Sequence, residues 1–247
     1  MSGYLDLGRA DAYGQSFSDV YDGWYDGVSD AAATARFIAR RCPTGPVLEL
    51  GVGSGRLALP LIEQGLTVIG VDGSDSMLAR CPPADSLSLV RADMRALPLR
   101  ASVGAALIAF NTLFNLASEA EQLRLLVELA GLIGYGGVIV IEALDVTALL
   151  DGPARSIGVR QQQPDGLVVT ATQLDREAQT LTGQHLEIDA TGIAVRPWRL
   201  RWLTPAQLDQ LADRAGLTLD ERYGSWSEQP FVAASETHIS TYRLRRR

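Results

Sequence analysis

The chain has 247 residues, enough for one domain with a covered apolar core, and its 47% hydrophobic and 21% charged residues are ordinary for a globular protein. Its formal net charge of −7 argues against a nucleic-acid partner, because a phosphate-binding protein carries a basic face. The two cysteines lie far apart, no apolar run is long enough to cross a bilayer, and the N-terminus lacks a signal-peptide pattern, so we expect a cytoplasmic protein with no metal site and no membrane partner.

The first 28 residues are rich in aromatic side chains. Four of them recur at spacings of three and four, which places them on one face of a helix: Tyr13, Phe17, Tyr21 and Trp24. Two interpretations stay open: a helix packed on the core, or a lid that closes over a bound ligand. Ser29 is then the expected N-cap of a helix over 31–41. We assign residues 1–42 to an N-terminal helical lid.

A glycine-rich turn follows the first predicted strand. Val47–Leu50 is a short apolar strand, and it leads into Gly51, Gly53 and Gly55 and then into a predicted helix. Glycine lets the backbone bend sharply and approach a ligand, and the helix start offers unpaired N–H groups. The next strand ends in Asp72, at the position that binds the hydroxyl groups of a ribose in such folds. The spacing predicts an adenosine-type cofactor.

Strands and helices then alternate regularly, which predicts a doubly wound parallel sheet. The third strand leads to Asp93 and Met94, the fourth covers 103–110, and the fifth covers 138–143 after a glycine turn. Two C-terminal segments should complete a seven-stranded, mostly parallel sheet: 217–222 and 238–244. We assign 43–150 and 203–247 to this core.

A different pattern occupies residues 151–202. Four segments there alternate apolar and polar residues, with turn residues between them: 157–163, 167–174, 180–188 and 193–202. This alternation predicts an antiparallel β subdomain inserted after strand five. Its expected role is to cover the substrate or to make an oligomer contact, and we expect a homo-oligomer, a dimer or larger.

The glycine turn, Asp72 and the Asp93-Met94 pair together resemble the class I S-adenosylmethionine-dependent methyltransferases, which have a Rossmann-like fold. A dinucleotide site has the spacing G-x-G-x-x-G and is the weaker alternative. The resemblance implies S-adenosyl-L-methionine as cofactor, with Asp93 accepting a hydrogen bond from adenine and Met94 packing on the ring. It implies this set of cofactor-binding residues: Tyr21, Glu49, Gly51, Gly53, Asp72, Gly73, Met77, Asp93, Met94, Phe110 and Asn111.

A narrower resemblance is to small-molecule N-methyltransferases of actinobacterial antibiotic pathways, those that act on amino-sugars or lincosamides. It is carried by Tyr13, by Tyr21-Asp22, by Met94-Arg95, by the loop over 110–116 and by the strand insertion. It implies three candidate catalytic residues, of which Asn115 stands where the sugar enzymes carry a histidine: Tyr13, Tyr21 and Asn115. The candidate substrate-binding residues are Tyr13, Phe114, Asn115, Glu142 and His185.

The reaction type depends on whether a general base is present. An amine can attack a methyl group without a base, whereas a hydroxyl group needs one within hydrogen-bond reach. Neither His185 nor His238 forms a compelling histidine–carboxylate pair in the sequence, so we favour methylation of an amine nitrogen in a small molecule. O-methylation and a non-catalytic cofactor-binding protein stay as alternatives. Glu142 is expected either to hold a substrate ammonium group or to make a structural hydrogen bond.

Overall fold

The computed structural model describes residues 9–25, 30–100, 102–164 and 166–245. Parts of the predicted lid, Ser29 among them, lie outside these residues. The eight α-helices that it describes are α1 Ala12–Phe17, α2 Tyr21–Tyr25, α3 Ala31–Arg41, α4 Ala58–Glu63, α5 Asp75–Leu78, α6 Glu119–Leu132, α7 Thr147–Leu150 and α8 Pro205–Arg214. None of the helices among the described residues has the length and apolarity that a bilayer crossing requires.

The strands form two sheets. Their bounds are β1 Val47–Leu50, β2 Val68–Asp72, β3 Leu87–Arg91, β4 Val103–Ile108, β5 Ile133–Leu144, β6 Arg155–Gln163, β7 Gly166–Asp175, β8 Thr180–Asp189, β9 Gly192–Arg201, β10 Leu217–Tyr223 and β11 Thr237–Leu244. The larger sheet has the order β10-β11-β5-β4-β1-β2-β3, and only β11 pairs antiparallel with its neighbours. β6 to β9 form an antiparallel meander. The predicted fold class is confirmed.

The N-terminal aromatic segment is two short helices, where the spacing predicted one. α1 ends at Phe17 and α2 begins at Tyr21, yet the aromatic rings still meet. The Tyr13 and Phe17 rings stack with centroids 4.5 Å apart, and the Phe17 and Trp24 rings meet edge to face at 6.2 Å. The N-cap of α3 is Asp30, whose carboxylate accepts from the backbone N–H of Ala33 at 2.8 Å, so the expectation of Ser29 was wrong.

Two helices, α6 and α8, each begin with a capping box, a pattern that is visible in the sequence. Ser118 and Glu121 exchange both hydrogen bonds of a capping box at α6, and Thr204 and Gln207 do the same at α8. The predicted start of strand five at residue 138 was wrong, because β5 already begins at residue 133. The pairing of β4 with β5 shifts register there, so the glycines build an irregularity within the strand rather than a turn before it.

Side chains of the inserted sheet alternate between an inner and an outer face. The inner face carries Thr170 and His185, which pair across β7 and β8. The outer face carries aliphatic side chains from all four strands: Ile157, Val159, Leu167, Val169, Leu186, Ile188, Ile193 and Val195. Four of these are largely exposed, namely Ile157 at 73%, Val159 at 66%, Ile193 at 67% and Val195 at 54%. The inner face therefore carries Thr170 and His185 beside the buried Val168, Leu174 and Leu181, and the outer face presents an exposed aliphatic patch.

Candidate active site

A cavity of about 380 Å³ lies at the carboxyl ends of β1, β2 and β4, and the N-terminal helices and the inserted sheet close it from outside. This is where ligands bind in open α/β sheets. The structure brings the following sequence-predicted residues together around it: Tyr13, Tyr21, Glu49, Gly51, Gly53, Asp72, Gly73, Met77, Asp93, Met94, Phe110, Asn111, Asn115 and His185. Residues that are far apart in the chain thus form one site.

The glycine turn is held in shape by Asp72. The carboxylate of Asp72 accepts from the backbone N–H of Gly53 at 2.9 Å and from that of Ser74 at 2.8 Å. Gly51, Gly53 and Gly55 all have a positive backbone φ angle, a conformation that residues other than glycine rarely adopt. Burial raises the pKa of Asp72, and the backbone hydrogen bonds oppose that rise. The turn and the acid therefore form one unit at the cavity wall.

Glu49 is a buried carboxyl that borders the cavity. It is 3% exposed, and its Oε2 has no hydrogen-bond partner among the described residues. Burial raises the pKa of Glu49 to about 8, the charge of Arg56 lowers it, and the charge of Asp72 raises it further. A buried polar atom without a partner is costly. A ligand with an ammonium group at this place would supply the missing partner, which fits the amino-acid part of S-adenosylmethionine.

Asp93 is not a free carboxylate in this structure. The guanidinium of Arg95 donates to both of its oxygens, and the backbone N–H of Arg95 donates to Oδ1 at 2.9 Å. Burial acts to raise the pKa of Asp93, but these bonds outweigh it and lower the pKa. The sequence did not point to Arg95 as a partner of this acid, and a ligand at Asp93 would share the carboxylate with it.

The N-terminal helices contact the glycine turn directly. Ser54 donates to the carboxylate of Asp22 at 2.6 Å, and Arg80 forms an ion pair with the same carboxylate at 2.5 Å. A Cβ atom on Gly14 would collide with the side chain of Ser74, so α1 is in close contact with the start of α5. These contacts place α1 and α2 over the mouth of the cavity.

The inserted sheet contributes a neutral histidine to the cavity. Nδ1 of His185 lies 2.7 Å from the hydroxyl of Thr170, and the rings of Phe17, Trp24 and Trp198 surround the imidazole with centroids 5.6–5.9 Å away. Burial, helped by the charge of Arg160, lowers the pKa of His185 to about 4. The imidazole is therefore uncharged near neutral pH and a weak base.

Three predicted roles need correction or refinement. Phe114 is fully buried and does not line the cavity. Glu142 does not line it either, because its carboxylate accepts from the N–H of Phe110 at 2.8 Å and from the indole of Trp226 at 2.9 Å. Neither placement supports substrate contact, and the structural alternative for Glu142 is the one that the hydrogen bonds support. Asn111 lines the cavity, but its side-chain oxygen accepts from the N–H of Leu144 and ties the loop to β5.

Several cavity residues were not predicted as site residues from the sequence. They are Arg9, Arg56, Arg95, Thr112, Arg160, Thr170 and Arg199. Arg56 follows the glycine motif directly, so its position was available from the spacing. Arg160, Thr170 and Arg199 reach the cavity only because three strands of the insertion pair and fold back over the core, which no local pattern encodes.

The comparisons with known proteins agree with this geometry. A family model described as a methyltransferase domain matches residues 47–137. The CcbJ methyltransferase from Streptomyces caelestis is 33% identical with a TM-score of 0.90, and the match covers 95% of this chain and 98% of that one. The cypemycin N-terminal methyltransferase of a Streptomyces species is 26% identical over 230 residues, 90% of this chain and 94% of its own length. CalS10, an amino pentose methyltransferase from Micromonospora echinaspora, shares the fold at 21% identity, with a TM-score of 0.71 and coverage of 91% and 97%.

Proposed function

The chain belongs to the S-adenosylmethionine-dependent methyltransferases, and from that premise we propose that it methylates an amine nitrogen of a small molecule. The cofactor, S-adenosylmethionine, supplies an electrophilic methyl group when it is bound. Membership in this family leaves the dinucleotide alternative without support. The acceptor nitrogen and the catalytic roles are proposals supported by contacts around the cavity, and the quaternary structure is a proposal supported by the outer face of the inserted sheet.

We assign the cofactor end of the cavity as follows. Asp72 would bind the ribose hydroxyls, Glu49 the ammonium group, and Arg56 the carboxylate of the amino-acid part. Asp93 and Met94 would contact adenine. The support is geometric: all five residues line one cavity, and Glu49 has an oxygen in need of a donor.

The observation that carries amine methylation is the weak basicity of the cavity histidine, since Glu49, the cavity carboxyl whose pKa is raised to about 8, is assigned to the ammonium group of the cofactor. His185 is the histidine that lines the cavity, and a pKa of about 4 makes it a poor acceptor of a proton from a hydroxyl group. An amine needs no such base, because its lone pair forms the new bond and its proton leaves afterwards. Catalysis then depends on holding the nitrogen in line with the methyl group, away from water. The cypemycin relative, an N-terminal methyltransferase by name, also methylates at an N-terminus.

A pair of histidine variants tests this proposal. Demethylated cofactor would be measured after incubation with panels of small amines and small alcohols, using the parent, His185→Gln and the control His238→Gln, whose imidazole lies outside the cavity. We expect turnover with amines and a loss of less than about tenfold in His185→Gln, since no proton acceptor is removed. Turnover of alcohols by the parent, together with a drop in that turnover of about 100-fold or more in His185→Gln, would identify O-methylation. Tight cofactor binding without turnover would favour the non-catalytic alternative.

We also propose that Tyr13, Tyr21 and Asn115 align the acceptor, with α1 and α2 acting as a lid. The two tyrosine rings meet edge to face at 6.2 Å and both line the cavity, as Asn115 does. Phenol and amide groups can orient an attacking lone pair through hydrogen bonds. Tyr13→Phe and Tyr21→Phe should therefore lower turnover about tenfold while leaving the melting temperature nearly unchanged. If both variants turn over at the parent rate, α1 and α2 only pack against the core and do not align the acceptor.

A homodimer through the outer face of the inserted sheet is the proposed quaternary structure. Strand spacing and rise give this face about 400 Å² of flat area, comparable to the largest apolar patch that a soluble monomer typically exposes, and such patches are often functional. A two-fold contact would cover both faces at once. Val195→Lys should then shift the molar mass measured by light scattering from that of a dimer to that of a monomer. The control Val127→Lys, at an exposed position on α6, should leave the molar mass unchanged.

A cytoplasmic location stays part of the proposal, and the free thiols of Cys42 and Cys81 are in keeping with it.

A further inference from the structure

The chain leaves β4 through two residues in an unusual backbone conformation, Phe110 and Asn111, which we call the β4 turn. Their φ angles are +50° and +64°, both in the left-handed region. Asparagine tolerates this region, whereas a bulky aromatic residue adopts it rarely and at a cost in free energy. Both residues line the cavity, and the other described non-glycine residues with positive φ, Gln179 and Glu228, do not. Backbone strain is therefore found at the cavity wall.

Asn111 completes the pairing of β5, which is longer than β4. The last paired residues are Ile108 in β4 and Ile141 in β5, and β5 continues to Leu144. Beyond that pair, the N–H of Asn111 donates to the backbone carbonyl of Glu142 at 3.1 Å. The side-chain oxygen of Asn111 accepts from the N–H of Leu144 at 2.6 Å. These two bonds satisfy the side of β5 that faces β4, and they do not explain the strained conformation of Phe110.

Phe110 is held by a separate bond to the carboxylate of Glu142. The N–H of Phe110 donates to one carboxylate oxygen at 2.8 Å, and the indole N–H of Trp226 donates to the other at 2.9 Å. Trp226 is buried, and its ring meets that of Phe37 edge to face with centroids 5.3 Å apart. The carboxylate is thus fixed from the side of the core, and it fixes Phe110 in turn.

A carboxylate is a costly group to bury for the sake of one backbone N–H. Glu142 is 9% exposed, and burial raises the pKa of its carboxyl. The hydrogen bonds from Phe110 and Trp226 lower that pKa, as does the charge of Arg56. A bond to a charged acceptor is stronger than one between neutral groups, and strained residues persist only where their surroundings hold them. Such residues cluster at functional sites, so the buried acid and the strained phenylalanine point to a role in the reaction.

The β4 turn adjoins both proposed ends of the cavity. The ring of Phe110 lies 5.8 Å from the guanidinium of Arg56, which is proposed to bind the carboxylate of the cofactor. The next residue, Thr112, lies against the glycine turn, because a Cβ atom on Gly51 would come within 2.9 Å of its methyl group. The short 3₁₀ helix that follows ends at Asn115, which is proposed to align the acceptor. A shift of the β4 turn would therefore move the acceptor site relative to the donor site.

We propose that Glu142 is a positioning residue for methyl transfer, whose carboxylate holds the β4 turn in shape and so aligns the acceptor with the donor. Glu142 does not line the cavity, so it acts through Phe110. The inference rests on methyl transfer in this cavity and holds whether nitrogen or oxygen accepts the methyl group. The rate of an in-line displacement depends steeply on alignment. A Glu142 that served stability alone would leave the rate per folded molecule unchanged.

Glu142→Gln tests the proposal, because the amide keeps one acceptor oxygen and leaves either Phe110 or Trp226 without a partner. Glu128→Gln is the matched control. The carboxylate of Glu128 also accepts from the backbone N–H of a distant residue, Leu97, at 3.1 Å, and neither of these residues lines the cavity. Turnover would be measured at saturating acceptor, and binding of demethylated cofactor by titration calorimetry.

The amide signal of Phe110 gives a readout that does not depend on turnover. The chain has five phenylalanines, so selective labelling with ¹⁵N-phenylalanine gives a spectrum with few signals, in which Phe110 is identified by its loss in Phe110→Leu. A hydrogen bond to a carboxylate moves an amide proton signal downfield. The signal of Phe110 should therefore move upfield in Glu142→Gln and stay in place in Glu128→Gln.

We expect Glu142→Gln to lower kcat by about tenfold or more, with a smaller change in the KM of the acceptor, and to weaken binding of demethylated cofactor about fivefold. Glu128→Gln should match the parent in all three measurements. A kcat near that of the parent in folded Glu142→Gln would overturn the inference. A lowered kcat with an unmoved Phe110 signal would also overturn it, because the effect would not pass through the β4 turn.

Two further results are covered by the same measurements. If the parent turns over neither amines nor alcohols, the proposed reaction fails by itself. A moved Phe110 signal together with weaker cofactor binding in Glu142→Gln then supports the positioning role, and an unmoved signal or an unchanged affinity overturns it. If Glu142→Gln does not fold, Glu142→Asp takes its place. Its carboxylate is shorter by one methylene and cannot reach Phe110 and Trp226 together, so the same results are expected and the same outcomes would overturn the inference.

Discussion

Asp72 serves two purposes at once, because the carboxylate that would bind ribose also fixes the glycine turn through Gly53 and Ser74. Asp72→Asn keeps an acceptor oxygen for the turn but removes the charge. We expect it to weaken binding of demethylated cofactor tenfold to 100-fold, about 1.5–3 kcal/mol for a charged hydrogen-bonded contact, as measured by titration calorimetry. Asp75→Asn is the control, because Asp75 is exposed and pairs with Arg91 instead. Unchanged affinity in a folded Asp72→Asn protein would contradict the ribose assignment.

Gly53 offers a sharper comparison, because backbone strain and ligand contact can be separated. Its φ is +56° and an added Cβ would come within 3.0 Å of Met77 Cε, whereas Gly65 has φ +80° with nothing within 4 Å. Valine at either position forces a β-branched residue into a left-handed conformation, so both variants should lose stability by about 1–2 kcal/mol. Only Gly53→Val should also lose binding of demethylated cofactor in calorimetry. Equal affinity in both folded variants would show that the turn does not border the ligand.

The residue-level predictions succeeded where the pattern was local. Asp72 is about 20 residues from the glycines, and the geometry of two adjacent parallel strands brings them together, so spacing alone was sufficient. The role of Glu142 could not be predicted in this way. Its two hydrogen-bond donors lie 32 and 84 residues away, at Phe110 and Trp226, and only the folded chain shows that both oxygens are occupied.

Helices and strands show the same contrast between features set by local sequence and features set by distant contacts. The capping boxes at Ser118 and Thr204 were readable because all the partners lie within three residues. The break between α1 and α2 and the early start of β5 were not, because tertiary contacts and strand pairing override the local preference there. The site follows this rule: its glycine-turn end was predicted, whereas of its inserted-sheet end only His185 was predicted, and Thr170 and Trp198 became apparent only from the paired strands.

The two N-terminal helices are held to the core by Asp22, which joins α2 to Ser54 in the glycine turn and to Arg80 after α5. If these helices act as a lid, Asp22→Ala should let bound demethylated cofactor escape faster. The ion pair is partly exposed and worth little, so the expected increase in the dissociation rate is about fivefold to tenfold, most of it from the lost hydrogen bond to Ser54. Stopped-flow displacement would measure it.

Asp11→Ala is the matched control for this prediction. Asp11 belongs to the same N-terminal segment, but its arginine partner, Arg9, is two residues away, so the pair does not reach the glycine turn. The dissociation rate should stay near that of the parent in Asp11→Ala. Equal rates in Asp22→Ala and Asp11→Ala would mean that the contact to Ser54 does not hold the ligand in place.

For the molecule as a whole, acid stability should depend on its two histidines, both of which are buried. Burial lowers the pKa of His238 to about 4, while an unfolded histidine titrates near 6.5. Above pH 6.5 both states leave the ring neutral. Between pH 6.5 and 4 the unfolded chain takes up a proton that the folded chain refuses, so stability falls with falling pH, by about 2–3 kcal/mol for His238 by pH 4.5.

Glu49 acts in the opposite direction. Its pKa of about 8 in the folded chain lies above that of an unfolded glutamate, so its contribution to stability increases as the pH falls from 8 toward 4.5. The total change in the parent therefore mixes terms of both signs. The histidine term is isolated by the difference between the parent and His238→Gln, in which the Glu49 term cancels.

Urea unfolding at pH 7.5 and pH 4.5 would measure that difference. His238→Gln is expected to lose about 2–3 kcal/mol less than the parent on acidification, whatever its stability at pH 7.5. His185→Gln should show the same sign with a smaller effect, because His185 borders the cavity and water there can reach its ring. Equal losses in the parent and His238→Gln would show that the ring of His238 accepts its proton in the folded state, against the burial that the core imposes on it.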